Sequence, residues 1–511
     1  MGTGQVRRQP VAISAFDLPD SSRLLVHGCE DCACAVSADQ SRPVARPSLA
    51  GPAADEHLVH GTDVREAPLD GEYRLLFRLV GNGGVVVVNE LAYQVFGQFA
   101  TPATLAQVGD RLRQDLGDIA AVADRMRQAG IIQPPGQVAL PSFGTSKTLT
   151  AWLHVSNACN LACPYCYVRK SAAGMDERAG LAAVDAVIGS ALAYEFPAVK
   201  LKYAGGEASL NKKLVLRLDA YARTLAAQNG LELNATLLSN GVALPQAFLE
   251  TLNAAGVRIM ISLDGVGRLH DAQRPSVTGK PSFRSVERTI SRLIAQGYPP
   301  HLSITITSRN AFGVADAVRF ALDRGLTFSL NFFRDNDCAS GFADLRYTDQ
   351  EMISGLLAAF TVIRERLPPW SVLGSVLDRG QLLEPRQRPC GVGQDYVVID
   401  HEGKVAKCHM EIERTLGDVF HDDPLQLVRQ DTRSTLNLLV EDKEGCRDCA
   451  WRYWCSGGCP VATFRATGRY DIKSPNCAIY KAIYPEALRL EGLRLLKYAA
   501  RPPTGNPADA P

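Results

Sequence analysis

The stretch from Thr148 to Cys166, Thr-Leu-Thr-Ala-Trp-Leu-His-Val-Ser-Asn-Ala-Cys-Asn-Leu-Ala-Cys-Pro-Tyr-Cys, decides how the rest of the chain is read. Its first half is rich in β-branched and apolar residues and predicts a strand over Thr150–Val155. Cys159, Cys163 and Cys166 then stand on one short loop directly behind that strand. Three thiolates so placed can hold three irons of a [4Fe–4S] cube and leave the fourth iron open to a small molecule. A zinc knuckle is the alternative, but it needs a fourth ligand close by, and His154 lies on the strand side. The ligand count favours the cluster.

Working outward, strands and helices alternate from Thr148 to about Asn331. Further strands are expected at Ala198–Tyr203, Asn234–Leu238, Arg258–Ser262, Leu302–Thr307 and Thr327–Phe332. Amphipathic helices fall between them, at Lys212–Gln228, Pro245–Ala255, Ser282–Ala295 and Ala311–Arg324. This alternation predicts an α/β fold with a partial (β/α)6 TIM-like barrel. Polar motifs follow several strands: Gly205-Gly206-Glu207, Ser239-Asn240-Gly241, Ser262-Leu263-Asp264-Gly265, and a His270-to-Pro275 stretch containing Arg274. Each alone is ordinary turn chemistry. Together, at the strand ends where barrel sites form, they mark a site.

The loop and these motifs resemble the radical S-adenosylmethionine superfamily, whose cluster loop has the same spacing and an aromatic residue before the last cysteine, here Tyr165. The resemblance implies S-adenosylmethionine as cofactor beside a [4Fe–4S] cluster on Cys159, Cys163 and Cys166. Gly205, Gly206 and Glu207 correspond to the motif that receives the methionine amino group, and glycine lets the backbone come close. Ser239, Asn240, Ser262 and Asp264 correspond to the loops that meet the ribose and carboxylate. Tyr165 and Arg274 complete the expected contacts. Ala208 stands where the family usually has proline.

A second set of cysteines lies near the C-terminus: Cys390, Cys408, Cys446, Cys449, Cys455, Cys459 and Cys477. Paired zinc ribbons share such Cys-x2-Cys pieces. The full spacing resembles the SPASM extension of peptide-modifying radical enzymes, which implies two auxiliary [4Fe–4S] clusters and three in all. Cys390, Cys408 and Cys459 would hold the first, with one position open or otherwise filled. Cys446, Cys449, Cys455 and Cys477 would close the second. Sulfatase-maturing relatives carry a catalytic Asp after the cysteine corresponding to Cys408. Here that residue is His409, which becomes the candidate catalytic acid or base, or a hydrogen-bond donor to sulfur. Cys338 is expected near the barrel mouth, as a fourth auxiliary ligand, a substrate-facing thiol or an unligated one. Cys29, Cys32 and Cys34 receive no role.

The 511 residues include 14 cysteines, carry a formal charge of +1, and are 46% hydrophobic and 21% charged. That composition describes a globular protein of several domains with no global field for nucleic acid. In a reducing compartment so many thiols argue for metal ligation rather than disulfides. The N-terminus lacks an apolar signal core and no apolar run reaches membrane length, so a cytoplasmic protein with no membrane partner is expected.

The expected division is a poorly ordered segment 1–70, a compact unit 71–135, the barrel 148–335, a connecting helical segment 336–389, a cysteine-rich cluster domain 390–484, and a terminal helix and tail 485–511. The 71–135 unit, with strands in EYRLLFRLV and VVVVNE and three helices, has winged-helix character. Its third helix sets Asp118 and Asp124 against Arg125 and Arg127, which is not a phosphate-binding face. The unit resembles instead the small peptide-recognition domain of pyrroloquinoline-quinone biosynthesis. That implies a precursor peptide whose leader adds as a strand to the hairpin edge. The combined expectation is a maturase of ribosomally made peptides, forming a thioether or carbon–carbon cross-link, with a flavodoxin or ferredoxin as reductant. The alternatives are an anaerobic sulfatase maturase and an iron–sulfur redox sensor with a DNA-binding N-terminus.

Overall fold

The computed structural model describes residues 10–14, 51–79, 84–138, 140–242, 244–374 and 378–499. Cys29, Cys32, Cys34, residues 80–83 and those beyond 499 lie outside them.

The N-terminal unit is larger than 71–135. Its antiparallel sheet has four strands in the order β1-β5-β4-β3, from β1 (Ala12–Ser14), β3 (Val64–Pro68), β4 (Arg74–Arg78) and β5 (Gly84–Val88). A short β2 (Val59–His60) pairs with β6 (Ile132–Gln133). The expectation of a poorly ordered segment up to residue 70 therefore fails at 12–14 and 51–70. The reason is pairing: β3 and β1 are short, and only their partners β4 and β5 make them strands.

The run Val85–Val88 shows no alternation because both faces of the sheet are covered. Leu76, Val86 and Val88 pack on the unit's own helices, while Leu75, Phe77 and Val87 join the core of the larger body. Those helices are α1 (Glu90–Gln98), α2 (Leu105–Leu112) and α3 (Leu116–Gln128), begun by Asn89, by a Thr104–Gln107 capping box and by Asp115.

Residues from Thr148 onward build one nine-stranded sheet. Its order is β12-β11-β10-β9-β8-β7-β13-β14-β15. Six strands, β7 (Thr148–Ser156), β8 (Ala198–Gly205), β9 (Glu232–Ser239), β10 (Arg258–Ser262), β11 (His301–Ile306) and β12 (Phe328–Phe332), run parallel in chain order. The crossovers include α4 (Glu177–Ala193), α5 (Lys212–Gln228), α6 (Gln246–Ala254), a short α7 (Arg268–Gln273), α8 (Phe283–Ala295) and α9 (Val314–Leu322). Helix α10 (Asp349–Glu365), opened by a Thr348–Glu351 capping box, packs on α9.

The cysteine-rich region does not start a separate loop-like domain. Strand β13 (Tyr396–Ile399) pairs in parallel with β7, Tyr396 opposite Thr150 and Ile399 opposite Leu153. Strands β14 (Lys404–Ala406) and β15 (Thr415–Asp418) then continue the sheet antiparallel. The physical need is plain: β7 is buried along its whole length, and an unpaired edge there would strand its peptide groups away from water. Short helices α11 (Pro424–Gln430), α12 (Arg452–Cys455) and α13 (Pro460–Thr467) follow. The last helix, α14, runs Cys477–Ala499 with Pro485 inside it, so the expected boundary at 485 falls mid-helix. Proline usually breaks a helix interior, but this helix packs against α10, and Ile483, Tyr484, Ala487 and Leu488 are all core.

Candidate functional site

The strand ends of β7, β8, β9 and β10 meet around the cysteine loop. Cys159, Cys163 and Cys166 are all half-buried. Cys159 Sγ accepts from Leu161 N (3.4 Å) and from Asn240 Nδ2 (3.8 Å), which brings the loop after β9 onto the cysteine loop. Ala162 N donates to Pro275 O (2.7 Å), stitching the loop to the Arg274-Pro275 stretch. Burial pushes the Cys163 thiol up to about 11 and raises Cys166.

The two glycines are required here by the packing of the cysteine loop. A Cβ on Gly206 would lie 2.5 Å from Ala158 O, and Gly205 has φ +143° against the Ser156 backbone. Gly206 N donates to Ser156 O (2.6 Å) and Glu207 N to Ala158 O (2.8 Å). The close backbone approach is thus to the cysteine loop itself.

Glu207 is likewise already engaged: its carboxylate accepts from Ser209 N (3.1 Å), Ser239 Oγ (2.9 Å) and Asn240 N (2.7 Å). Burial raises its carboxyl despite these donors. The Ser209 side chain also hydrogen-bonds to it, so the carboxylate is fully engaged with the loops around it.

Asp264 and Arg274 pair with each other rather than pointing into open space. Arg274 Nε donates to Asp264 Oδ2 (2.7 Å), the Tyr165 hydroxyl donates to the same oxygen, and Thr305 N donates to Oδ1 (2.8 Å). Burial opposes the charge of Arg274, but Asp264 and Tyr165 outweigh it and hold the guanidinium well above its usual range. Ser262 is half-buried at the end of β10, opposite Ser303.

The C-terminal cysteines gather as two groups. Cys446, Cys449, Cys455 and Cys477 line one small cavity with Trp451 and Tyr484. Cys455 ends α12 and Cys477 begins α14, so helix termini aim these thiols. Cys390, Cys408 and Cys459 share a second, apolar cluster with Trp152 and Tyr396.

His409 is enclosed: it stacks on Trp152 at 4.7 Å, and its Nδ1 lies 3.0 Å from the Tyr396 hydroxyl. Burial, then Arg379, Arg334 and Lys202, hold its pKa well below the usual range, so the ring is neutral. Cys338 is exposed, 3.5 Å from Tyr167 O, and borders a cavity of about 130 Å³ between the cysteine loop and Met410–Arg414.

Several charged residues at this site escaped the sequence reading. Lys200 and Lys202 alternate with the core residues Val199, Leu201 and Tyr203, and so face the barrel interior, both buried. Two lysines inside an otherwise apolar strand were the available signal. Asp378, Arg379 and Lys443 are buried too, and Arg334 is half-buried, all in segments without a motif.

Among the described residues, no three His, Cys, Asp or Glu side chains converge tightly enough for a single metal ion. A cluster asks for thiols spread over separate irons on one loop, beside a backbone cradle. Cys159, Cys163 and Cys166, with the Gly205–Gly206 approach and the buried carboxylate of Glu207, fit a [4Fe–4S] cluster and S-adenosylmethionine in donor type. No helix among the described residues is long and apolar enough to cross a membrane.

Comparison with known proteins agrees with this geometry. The chain is 25% identical over 359 residues to a PqqA peptide cyclase from Granulibacter bethesdensis, covering 66% of this chain and 90% of that one. It is 24% identical over 308 residues to the sporulation killing factor maturation protein SkfB of Bacillus subtilis, covering 57% and 67%. It spans from 58% to 90% of the length of several curated relatives. The solved structure of native anSMEcpe with bound AdoMet and Cp18Cys peptide superposes with a TM-score of 0.57 at 18% identity, covering 69% of this chain and 99% of that one, a likeness of fold. Residues 153–310 match the Radical SAM superfamily. The chain therefore carries a radical S-adenosylmethionine domain.

Proposed function

We propose that the protein is a maturase that modifies a peptide by radical chemistry, with one cluster at the barrel mouth and two auxiliary clusters behind it. The observation that carries this reading is the convergence of the later cysteines, four on one cavity and three in a separate apolar cluster, in a region tied to the barrel through β13. Cys159, Cys163 and Cys166 are the ligands of the first cluster; Cys390, Cys408 and Cys459 serve the second; Cys446, Cys449, Cys455 and Cys477 serve the third. When bound, the first cluster and S-adenosylmethionine supply a 5′-deoxyadenosyl radical that takes hydrogen from the substrate.

The chain's own residues bind, orient and exclude water. Glu207 knits the loops after β8 and β9, and its carboxylate is the group we assign to the methionine ammonium. The Asn240 amide donates toward Cys159 Sγ and fixes that ligand. Tyr165, Asp264 and Arg274 form a rigid desolvated wall, while Gly205, Gly206, Ser239 and Ser262 complete the cofactor's surroundings. His409, neutral and wedged between Trp152 and Tyr396, positions the loop of Cys408 rather than exchanging protons with substrate. That weighs against the sulfatase-maturing reading, which places a carboxylic acid there.

A peptide substrate is supported by the relatives named for peptide cyclisation and killing-factor maturation. The product we favour is a thioether or carbon–carbon cross-link, with a flavodoxin or ferredoxin as electron donor. The N-terminal unit then receives a leader peptide. Strand β4 is central and the outer edge of β5 is taken by Ala12–Ser14, so the edges left among the described strands are those of the three-residue β1 and of β3, Val64–Pro68, and the longer β3 is the one we assign to the leader. Anaerobic reconstitution tests the whole reading. It expects about twelve irons per chain, four for each cube, 5′-deoxyadenosine on reduction, and a mass loss of two hydrogens in a precursor peptide co-expressed with the enzyme. Zinc in place of iron would reject it.

A further inference from the structure

The cysteine loop follows β7, which has β13 on one side and β8 on the other, and the charges on its two flanks are arranged differently. On the flank towards the auxiliary region, the cavity of about 130 Å³ is lined by Arg169, Arg414 and Arg465, and each meets a carboxylate: Glu413, Glu411 and Asp337. The opposite flank is built by the loops after β8, β9 and β10, which are neighbours in the sheet. Its exposed charged side chains are Lys212, Lys213, Arg268 and Lys280, and none of the four has an ion pair among the described residues. The acidic residues of these loops are withdrawn or engaged. Glu207 and Asp264 are buried, and Asp271 Oδ1 accepts from Ser282 N and Phe283 N (both 2.8 Å) at the start of α8. A chain with a formal charge of +1 thus gathers four uncompensated cations on one face.

The same loops expose apolar side chains: Val277 is 60% exposed, Leu210 51% and Val266 36%. Two of these loops are fastened to the cysteine loop. Glu207 N donates to Ala158 O (2.8 Å), Ala162 N to Pro275 O (2.7 Å) and Val277 N to Asn160 O (3.1 Å). The face therefore lies directly against residues 158–162, the segment that carries Cys159. Single exposed apolar residues are ordinary on a protein surface. Three of them among uncompensated cations have the layout of a protein–protein contact, apolar within a charged rim.

We propose that this face docks a small acidic one-electron carrier protein, of the flavodoxin or ferredoxin type, which reduces the cluster held by Cys159, Cys163 and Cys166. The inference rests on the radical reading above. One electron leaves the carrier and enters the cluster; no bond breaks and no proton moves. Electron transfer between proteins weakens steeply with distance, so the carrier has to reach the cysteine loop itself. On the cavity flank it would compete with the peptide and meet a balanced set of charges. On the flank of Lys212 and Lys280 it meets uncompensated positive charge, which raises the association rate of an acidic partner by roughly 10- to 1,000-fold at low ionic strength. Electron-transfer encounters bury little surface, typically under about 1,200 Å². Steering rather than contact area then sets their rate.

The test uses the reconstituted full chain with a bacterial flavodoxin, and dithionite as a small reductant that needs no docking face. Flavodoxin binding is read by titration calorimetry and 5′-deoxyadenosine formation is followed with each reductant. Lys212→Glu/Lys280→Glu should weaken flavodoxin binding at least about tenfold at low salt and slow the flavodoxin-driven reaction in step, while the dithionite-driven reaction is unchanged. Position 212 lies in the first turn of α5, where the helix dipole favours a negative side chain, so the exchange does not unsettle the fold. Added salt should weaken the parent's binding and barely alter the variant's. Val277→Asp should also weaken binding, and Arg414→Glu on the cavity flank should not. The inference is overturned if the parent shows no salt-sensitive binding, if the double variant binds flavodoxin as the parent does, or if Arg414→Glu is the variant that loses it. It is overturned equally if the double variant keeps flavodoxin and loses a precursor peptide. Should the double variant lose the dithionite-driven reaction, Arg268→Glu and Val277→Asp decide by the same calorimetry. A parent chain that forms no 5′-deoxyadenosine with dithionite would instead reject the radical reading, and flavodoxin binding would still judge the face.

Discussion

The barrel mouth and the auxiliary region both gather cysteines, but by opposite means. At the mouth, Cys159, Cys163 and Cys166 share one loop, and the neighbouring motifs clasp that loop and one another: Glu207 to Ser239 and Asn240, Asn240 to Cys159, Asp264 to Arg274 and Tyr165. In the auxiliary region, thiols scattered from Cys390 to Cys477 are delivered by a strand added to the barrel sheet and by the ends of α12 and α14. A site carried by one loop can be emptied without unfolding its scaffold. A site assembled from distant helix ends cannot, because its ligands are also its staples.

The largest expected effect breaks the first half of that comparison. Replacing Cys159, Cys163 and Cys166 together with Ala should abolish 5′-deoxyadenosine formation and remove about four of twelve irons. The thermal unfolding midpoint should stay close to that of the parent chain. Cys446→Ala/Cys455→Ala should instead lower the midpoint along with the iron. Equal loss of stability in the two variants would show that the contrast between loop and scaffold is false.

Next in size is the wall beneath the loop. Arg274→Met leaves Asp264 as an uncompensated buried carboxylate, which typically costs about 3–5 kcal/mol. The variant should unfold at distinctly lower denaturant concentration and bind S-adenosylmethionine poorly even after reconstitution. Glu207→Gln should do less: it keeps the shape but weakens charge-assisted hydrogen bonds, a loss of roughly 1.5–3 kcal/mol, or about ten- to a hundredfold in cofactor affinity. An unchanged dissociation constant by equilibrium dialysis would leave Glu207 as a loop staple only.

How far the sequence could be read follows the same divide. Helix Lys212–Gln228 and strand Arg258–Ser262 lie where periodicity puts them, and the other barrel strands differ by a residue or two at their ends. Local pattern suffices there because each crossover forms from its own stretch of chain. Strand β13 was hidden because Tyr-Val-Val-Ile is only four residues long and sits among cysteines and glycines; its partner β7 lies far upstream. The start of α14 at Cys477 was hidden by Pro485. Glu207, Asp264 and Arg274 were found by their motifs, but their partners were not. Those partners depend on which loops the folded barrel brings together. Lys202, Arg379 and Lys443 stand in no motif, and only their burial singles them out.

The smallest expected effect concerns the edge strand Ala12–Ser14. It contributes three residues to the sheet beside β5, anchored by Asn89, whose Oδ1 accepts from both Val11 N (3.0 Å) and Ala92 N (2.9 Å). A leader peptide that pairs with β3 leaves this strand in place, whereas one that pairs with β5 must displace it. Deleting residues 1–15 from the full chain separates the two. If β3 is the docking edge, affinity for the precursor should change by less than about twofold, since ΔΔG between distant, independent sites adds to within about 0.5 kcal/mol. If β5 is the edge, removing the resident strand should tighten binding several-fold, because the peptide no longer competes with it. Proline at an N–H-donating position of the leader should weaken binding in either case, by removing a ladder hydrogen bond. Fluorescence anisotropy with a labelled leader peptide reads all three. Tighter binding on truncation would move the docking site from Val64–Pro68 to Gly84–Val88.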